Sequence, residues 1–253
     1  RIYPQAQLRR LQKLRRYLDQ GMRPGKLLRL SEAEFMALEG KSSTALAENS
    51  GTTPLSPLVA VCLDAARQLD EQGLLKVLSQ VHQQYGLADF IRRVIAPSVT
   101  ALGDAWARGE MEVYQEHFYT QVLTQYLNIE IAKMRNGASR PLVLLGTLPN
   151  ELHTLGMSMT AAMLACHGLS SIQLGASMPV DQLCRAAQEL NVDIVGVSFS
   201  SAYPYGNIHN DIRELRDNMP GDIELWIGGE GVRKLRKLPA GVSKFTDFEK
   251  LPF

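Results

Sequence analysis

At residue 139 the sequence changes its period, and that change limits the fold more than any other feature. Upstream, apolar residues recur three and four apart. Downstream, short apolar runs alternate with helical stretches. The runs are Leu142–Gly146, Ser171–Leu174, Ile194–Ser200, Leu225–Ile227 and Val242–Phe245, with helices expected at 155–167, 180–190, 205–218 and 231–236. Strand and helix alternating in this way argue for a doubly wound parallel sheet, one compact α/β domain over 139–253. Its first loop carries Glu151-Leu152-His153-Thr154-Leu155-Gly156. That loop lies at the carboxyl end of a strand, where open α/β sheets place their ligands.

Residues 58–136 read as helical throughout. Val59–Leu69, Glu71–Tyr85, Ala88–Ala107 and Glu112–Asn136 carry the helical spacing, and Gly73, Gly86 and Gly109 lie at or near the breaks. Four such helices joined by short turns predict a four-helix bundle. Its fourth helix crowds Tyr114, Glu116, His117, Tyr119 and Gln121 into one segment, where an ordinary core helix would show aliphatics. Residues 41–57 are polar, with Gly51, Pro54 and Pro57, and read as a linker. Residues 1–40 form short helices: a stripe of Leu8, Leu11, Leu14, Tyr17 and Leu18 stopped by Gly21, a piece from Gly25 to Leu30, and a Ser31/Glu34 capping box. They are too short to bury a core alone. They hold nine Lys/Arg against four acids, +5, which leaves −4 for the remainder of a chain of net charge +1. A basic end on a near-neutral body fits either a polyanion partner or a solvated helix face.

Several function classes fall away. No apolar run approaches the roughly 20 residues of a membrane span, and no secretory signal opens the sequence. The three cysteines, Cys62, Cys166 and Cys184, are widely spaced and lie in apolar helical contexts. That suits buried thiols in a reducing cytoplasm and excludes a CxxC pair. The first loop of the α/β domain runs from Gly146 to Gly156 with no glycine between, so a GxGxxG nucleotide loop is absent. There is no Walker lysine loop and no Gly-x-Ser-x-Gly elbow, and no catalytic residue is assigned. His82, His167 and His209 have no acid or histidine at ligand spacing and read as structural or surface residues. Met157, Met159 and Met163 read as core. Tyr203-Pro204-Tyr205 could line a ligand slot or cap the following helix, and the second reading is preferred.

What remains is a histidine after the first strand, serines after the third and a glycine pair after the fourth. Between Gly156 and Ser198 lie 41 residues, and between Ser200 and Gly228 lie 27. This pattern resembles the fingerprint of Rossmann-like domains that bind cobalamin base-off with a histidine as lower ligand. It departs in carrying Glu151 in place of Asp and in placing Ser200 third in the serine stretch. The resemblance implies that His153 is the cobalt ligand and that Glu151 orients its second nitrogen. It also implies that Gly156 lets a helix start close beneath the corrin. Ser198, Ser200, Gly228 and Gly229 would then form the slot for the displaced nucleotide tail.

Upstream, Trp106, nine residues and then Glu116-His117 resemble the Trp-x9-Glu-His signature of MerR-type, cobalamin-dependent photoreceptor regulators (the CarH/LitR group). There a helical bundle caps the upper face of adenosylcobalamin. The resemblance implies that Trp106 packs by the adenosyl group and that Glu116 and His117 address its polar groups or the cobalt face. Some light-sensing relatives carry a histidine directly after this tryptophan; here the position is Ala107. Arg1-Ile2-Tyr3, the basic helix, Gly21 and the next helix are similar to the back half of a MerR-type winged-helix domain. That similarity implies DNA binding by the intact protein. The expectation is a cytoplasmic cobalamin-sensing transcriptional regulator that forms a homo-oligomer, dimer or tetramer. The main alternative is the corrinoid carrier component of a methyltransferase, which also pairs a helical cap with such a domain. A third reading is a degenerate binder that keeps the fold for protein contacts.

Overall fold

In a computed structural model, residues 56–134 and 140–252 are described, with Glu34 alone before them. The expected winged-helix remnant at 1–40, but for Glu34, and all but the last two residues of the linker at 41–57 lie outside the described residues. The chain divides into two compact units: residues 1–77 with 94–119, and residues 78–93 with 120–253.

The helices are α1 (Pro57–Gln68), α2 (Glu71–Tyr85), α3 (Leu87–Phe90), α4 (Ala96–Ala107) and α5 (Val113–Met134). Pro57 sits in the first turn of α1, where its missing N–H costs nothing, and Leu69 ends it in the left-handed region. Asp70 precedes α2, and its carboxylate accepts the N–H of Gly73 in the helix's first turn at 2.9 Å. The single helix expected over 88–107 is interrupted by a π-helical stretch, Ile91–Ile95. Pro97 supplies the reason. It cannot donate to the carbonyl four residues back, and its ring crowds that carbonyl, so the turn before it widens.

In the first unit α1 packs on α4. Val59, Cys62, Leu63, Ala66, Leu102 and Ala105 are buried there. Tyr119 of the crowded segment joins that core, its hydroxyl 2.5 Å from the buried Ser98 hydroxyl. Burial pushes the Cys62 thiol up to about 11, so it is an unreactive core group.

The second unit is built on five parallel strands in the order β2-β1-β3-β4-β5. They are β1 (Leu142–Gly146), β2 (Ser170–Gln173), β3 (Ile194–Ser198), β4 (Glu224–Gly228) and β5 (Val242–Phe245), linked by α6 (Leu155–Cys166), α7 (Val180–Glu189) and α8 (Tyr205–Asn218). β1 is apolar throughout and β3 is apolar up to Ser198, because both faces are covered. One core layer joins Leu144, Val195, Val197, Leu225 and Ile227 of the sheet to Leu183, Ile208, Ile212 and Leu215 of α7 and α8. α6 is buried nearly all round, Met157, Met159 and Met163 included, and packs on β1, β2, β3 and α3. His82 is a structural residue as expected. Its Nδ1 lies 2.9 Å from the Tyr126 hydroxyl and its ring stacks on Phe90.

Two expected elements differ. The helix over 231–236 is only a 3-10 turn, Glu230–Val232. Lys244 then donates to the carbonyls of Arg233 and Leu235, which takes acceptors a helix would use. β3 ends at Ser198 rather than Ser200. The Ser200 N–H leaves the ladder for the Glu151 carboxylate of the loop after β1. Among the described residues no helix is long and apolar enough to cross a membrane.

The strand order puts the topological switch between β1 and β3: one neighbour of β1 leads left, the other right. Loops leaving these two strands diverge and open a crevice at their carboxyl ends. Leu144→Ala, in the middle of β1 and fully buried, is expected to destabilise the sheet unit by about 2–5 kcal/mol. Urea denaturation followed by circular dichroism measures it.

Candidate functional site in the crevice between the first and third strands

The loop after β1 begins with a turn. Pro149 follows Leu148, Asn150 has φ 73°, and the Glu151 N–H donates to the Leu148 carbonyl at 3.0 Å. Proline second and asparagine third is the composition of a type II turn, whose third residue needs positive φ. The turn sends the Glu151 side chain inward, where it is 1% exposed.

A carboxylate at that depth needs partners. Glu151 Oε1 accepts the His153 backbone N–H at 2.9 Å and lies 2.8 Å from His153 Nδ1. Its Oε2 accepts the Ser200 N–H at 2.6 Å. The Ser200 hydroxyl lies 3.2 Å from the same Nδ1 and accepts the Ala202 N–H at 3.1 Å. One carboxylate therefore ties the loop after β1 to the loop after β3. Burial raises its pKa, but the hydrogen bonds from His153 and Ser200 outweigh that and hold it below the usual glutamate value.

The His153 ring is oriented by this arrangement while its side chain stays 53% exposed. With Nδ1 on the carboxylate, Nε2 is the nitrogen presented for coordination. Gly156 is the second residue of α6, and a Cβ there would come within 2.9 Å of the Ser198 hydroxyl. Its missing side chain lets the start of α6 pack close against that partly buried hydroxyl. A Cβ on Gly228 would reach 3.0 Å from the Phe245 carbonyl, and Gly229 combines φ 95° with a Cβ position 2.3 Å from the Phe199 carbonyl. Gly228 lets the end of β4 lie close against β5, and Gly229 lets the chain turn directly against the residue after β3.

Of the expected site residues, Glu151, His153 and Ser200 are joined by hydrogen bonds, Gly156 meets Ser198, and Gly228-Gly229 back onto the strands beside them. Trp106, at the end of α4 and half-buried, and Glu116 and His117, on α5, belong to the first unit. His117 Nε2 is 3.7 Å from Glu116 Oε2 and its side chain is 74% exposed. Tyr203 is buried, stacks edge-on against Phe199 and donates to Asp211 at 2.7 Å. It ties the chain before α8 to the helix's second turn; the N-cap residue is Pro204, and no side chain caps the helix.

Two participants were not foreseen. Gly231 is one, since a Cβ there would meet the Ser200 carbonyl at 2.5 Å. Thr147 is the other, fully buried with its hydroxyl on the Glu151 carbonyl at 2.8 Å. The only sequence signal was a hydroxyl residue directly after an apolar strand.

Residues 58–129 and 141–242 each match a family described as B12 binding domain. The chain is 25% identical over 233 residues to the HTH-type transcriptional repressor CarH of Myxococcus xanthus, covering 92% of this chain and 78% of that protein. It is 30% identical over 135 residues to a corrinoid protein of Desulfitobacterium hafniense, covering 51% of this chain and 62% of that one. The fold is that of the monomethylamine corrinoid protein of Methanosarcina barkeri. That match has TM-score 0.59 at 13% identity and covers 74% of this chain and 92% of that one.

Glutamine at position 151 keeps the size of the side chain and removes its charge. Because the folded pKa is lowered, the carboxylate's contribution is present above the unfolded glutamate value of about 4.3 and is lost as pH falls through the folded one. E151Q is expected to be less stable than wild type by about 1–3 kcal/mol near neutrality. Urea midpoints measured down the acid range should show that gap closing.

Proposed function

We propose that this chain, which carries B12-binding domains at 58–129 and 141–242, is the sensor part of a transcriptional regulator that reads adenosylcobalamin and, through it, light. The observation that carries the reading is the Glu151–His153–Ser200 arrangement in the β1/β3 crevice. The crevice suits the cofactor on its own chemistry. It presents a half-exposed imidazole with one nitrogen fixed and a partly buried hydroxyl at Ser198 against which the start of α6 packs closely at Gly156.

In this reading His153 Nε2 would hold the cofactor's cobalt. Glu151 holds the ring in the tautomer that leaves Nε2 as the donor and raises its basicity. Ser200 shares the Nδ1 side of the ring. Ser198 and the glycines line the route of the nucleotide tail. Trp106, Glu116 and His117 of the helical unit would contact the cofactor's adenosyl group. Adenosylcobalamin supplies a cobalt–carbon bond that light cleaves. The protein's part is to bind the two states unequally, and only that inequality shifts an assembly equilibrium. We assign DNA contact to the basic residues 1–40, and expect a dimer or tetramer in the dark.

The regulator reading is favoured over a corrinoid carrier by the extent of similarity to a named repressor, which runs over nearly the whole chain. The carrier reading keeps a specific support of its own, the 30% identity over 135 residues to a corrinoid protein. Methyl transfer from a donor to bound cobalt would favour the carrier.

Incubation with adenosylcobalamin in darkness is expected to give a red protein whose visible spectrum shows a histidine-ligated base-off form. His153→Ala should bind about 10–100-fold more weakly and show the spectrum without a nitrogen lower ligand. An unchanged spectrum would remove His153 from the metal. Size-exclusion chromatography of the loaded protein should show a dark oligomer that changes on illumination. Identical elution in both conditions would remove the light-sensing part.

A further inference from the structure

Thr147 is the first residue beyond β1 and is completely buried. Its backbone extends the sheet pairing past the ladder: the Thr147 N–H donates to the Gly175 carbonyl at 3.3 Å, and its carbonyl accepts the Met178 N–H at 2.8 Å. Its hydroxyl does more than fill space. It donates to the Glu151 carbonyl at 2.8 Å, closing a loop of four residues, and it accepts the Ser177 N–H at 2.9 Å. Ser177, held at φ 56°, also points its N–H at the Glu151 carbonyl, at 3.2 Å.

Glu151 is thus fixed at both ends. Its side chain is held by His153 and Ser200, and its carbonyl by Thr147 and Ser177. The second grip matters because the carboxylate holds Nδ1 more closely than the Ser200 hydroxyl does, at 2.8 Å against 3.2 Å. A rotation of the Glu151 peptide would swing Oε1 away from Nδ1. The Pro149-Asn150 turn fixes the chain on one side, and the threonine hydroxyl fixes it on the other.

We infer that Thr147 is a positioning residue for the metal-binding imidazole: its hydroxyl locks the Glu151 main chain, and through Glu151 it sets the orientation and tautomer of His153. The last step rests on the cobalamin reading; the rest concerns the protein without cofactor. Valine keeps the shape of threonine and deletes both hydrogen bonds, and serine keeps the hydroxyl. Leu215→Ala, in the core of α8 and away from the loop, controls for general loss of stability.

Two measurements test it on the whole chain. The first uses protein without cofactor, labelled with nitrogen-15 at histidine, and reads the His153 ring tautomer by NMR. Wild type and T147S should show a single form with the proton on Nδ1, and T147V a mixture or a broadened signal. The second is titration with adenosylcobalamin in the dark. T147V should bind about 3–10-fold more weakly, with T147S and L215A within about twofold of wild type; the range lies below the usual cost of losing a direct hydrogen-bond partner of a ligand. A T147V ring spectrum identical to wild type overturns the inference. So does an equal loss of affinity in T147S, or in L215A at matched stability. If wild type binds no cobalamin, the functional reading fails, and the ring spectra still decide the role of Thr147.

Discussion

A glutamate that is almost wholly withdrawn from water must be compensated or it will protonate or disrupt the fold. Here the compensation comes from one imidazole and two backbone N–H groups, and those partners arrive from two different strands. The carboxylate is therefore both a structural clip and an orienting group. It draws the loop after β3 toward the loop after β1, and it turns one face of a histidine outward. Remove its charge and both functions weaken together, since the same oxygens serve each.

The strand order explains why this happens between β1 and β3. The crossovers leave those strands in opposite directions, so the crossover helices themselves part at the gap between the strand ends. What fills the gap must come from the loops themselves. The chain supplies small residues where backbone approaches backbone and hydroxyls beside them. The oxyanion, the imidazole and the glycine contacts form one connected structure, and Thr147 extends it toward the segment after β2.

Much of this was legible in the sequence. The strands from 139 onward carry runs of strand length, and β1 and β5 fall at the expected residues because turns and charged residues bound them on both sides. The Glu151/His153 pair was legible because side chains two apart in a loop can bond without any tertiary information. Ser200 was placed in the right group but given a ligand-facing role alone. Its strand-breaking N–H bond to Glu151 is a contact across 49 residues that local pattern cannot show. The π-helical stretch at Ile91–Ile95 was missed because the apolar period continues through it, and only Pro97 hints at the fault. The helix expected over 231–236 failed because Lys244, from β5, claims its carbonyls. The serine and the lost helix share a cause: a residue far along the chain decided the local structure.

The central claim is a bond from a histidine nitrogen of this chain to cobalt, and it can be read at the metal. The protein is loaded with cobalamin reduced to the paramagnetic cobalt(II) state and studied by electron paramagnetic resonance. Natural-abundance protein should show each high-field line split in three by one nitrogen-14 nucleus. Protein grown with nitrogen-15 histidine should show the same lines split in two. Splitting that stays threefold after labelling, or is absent from both samples, would mean that no histidine of this chain holds the metal.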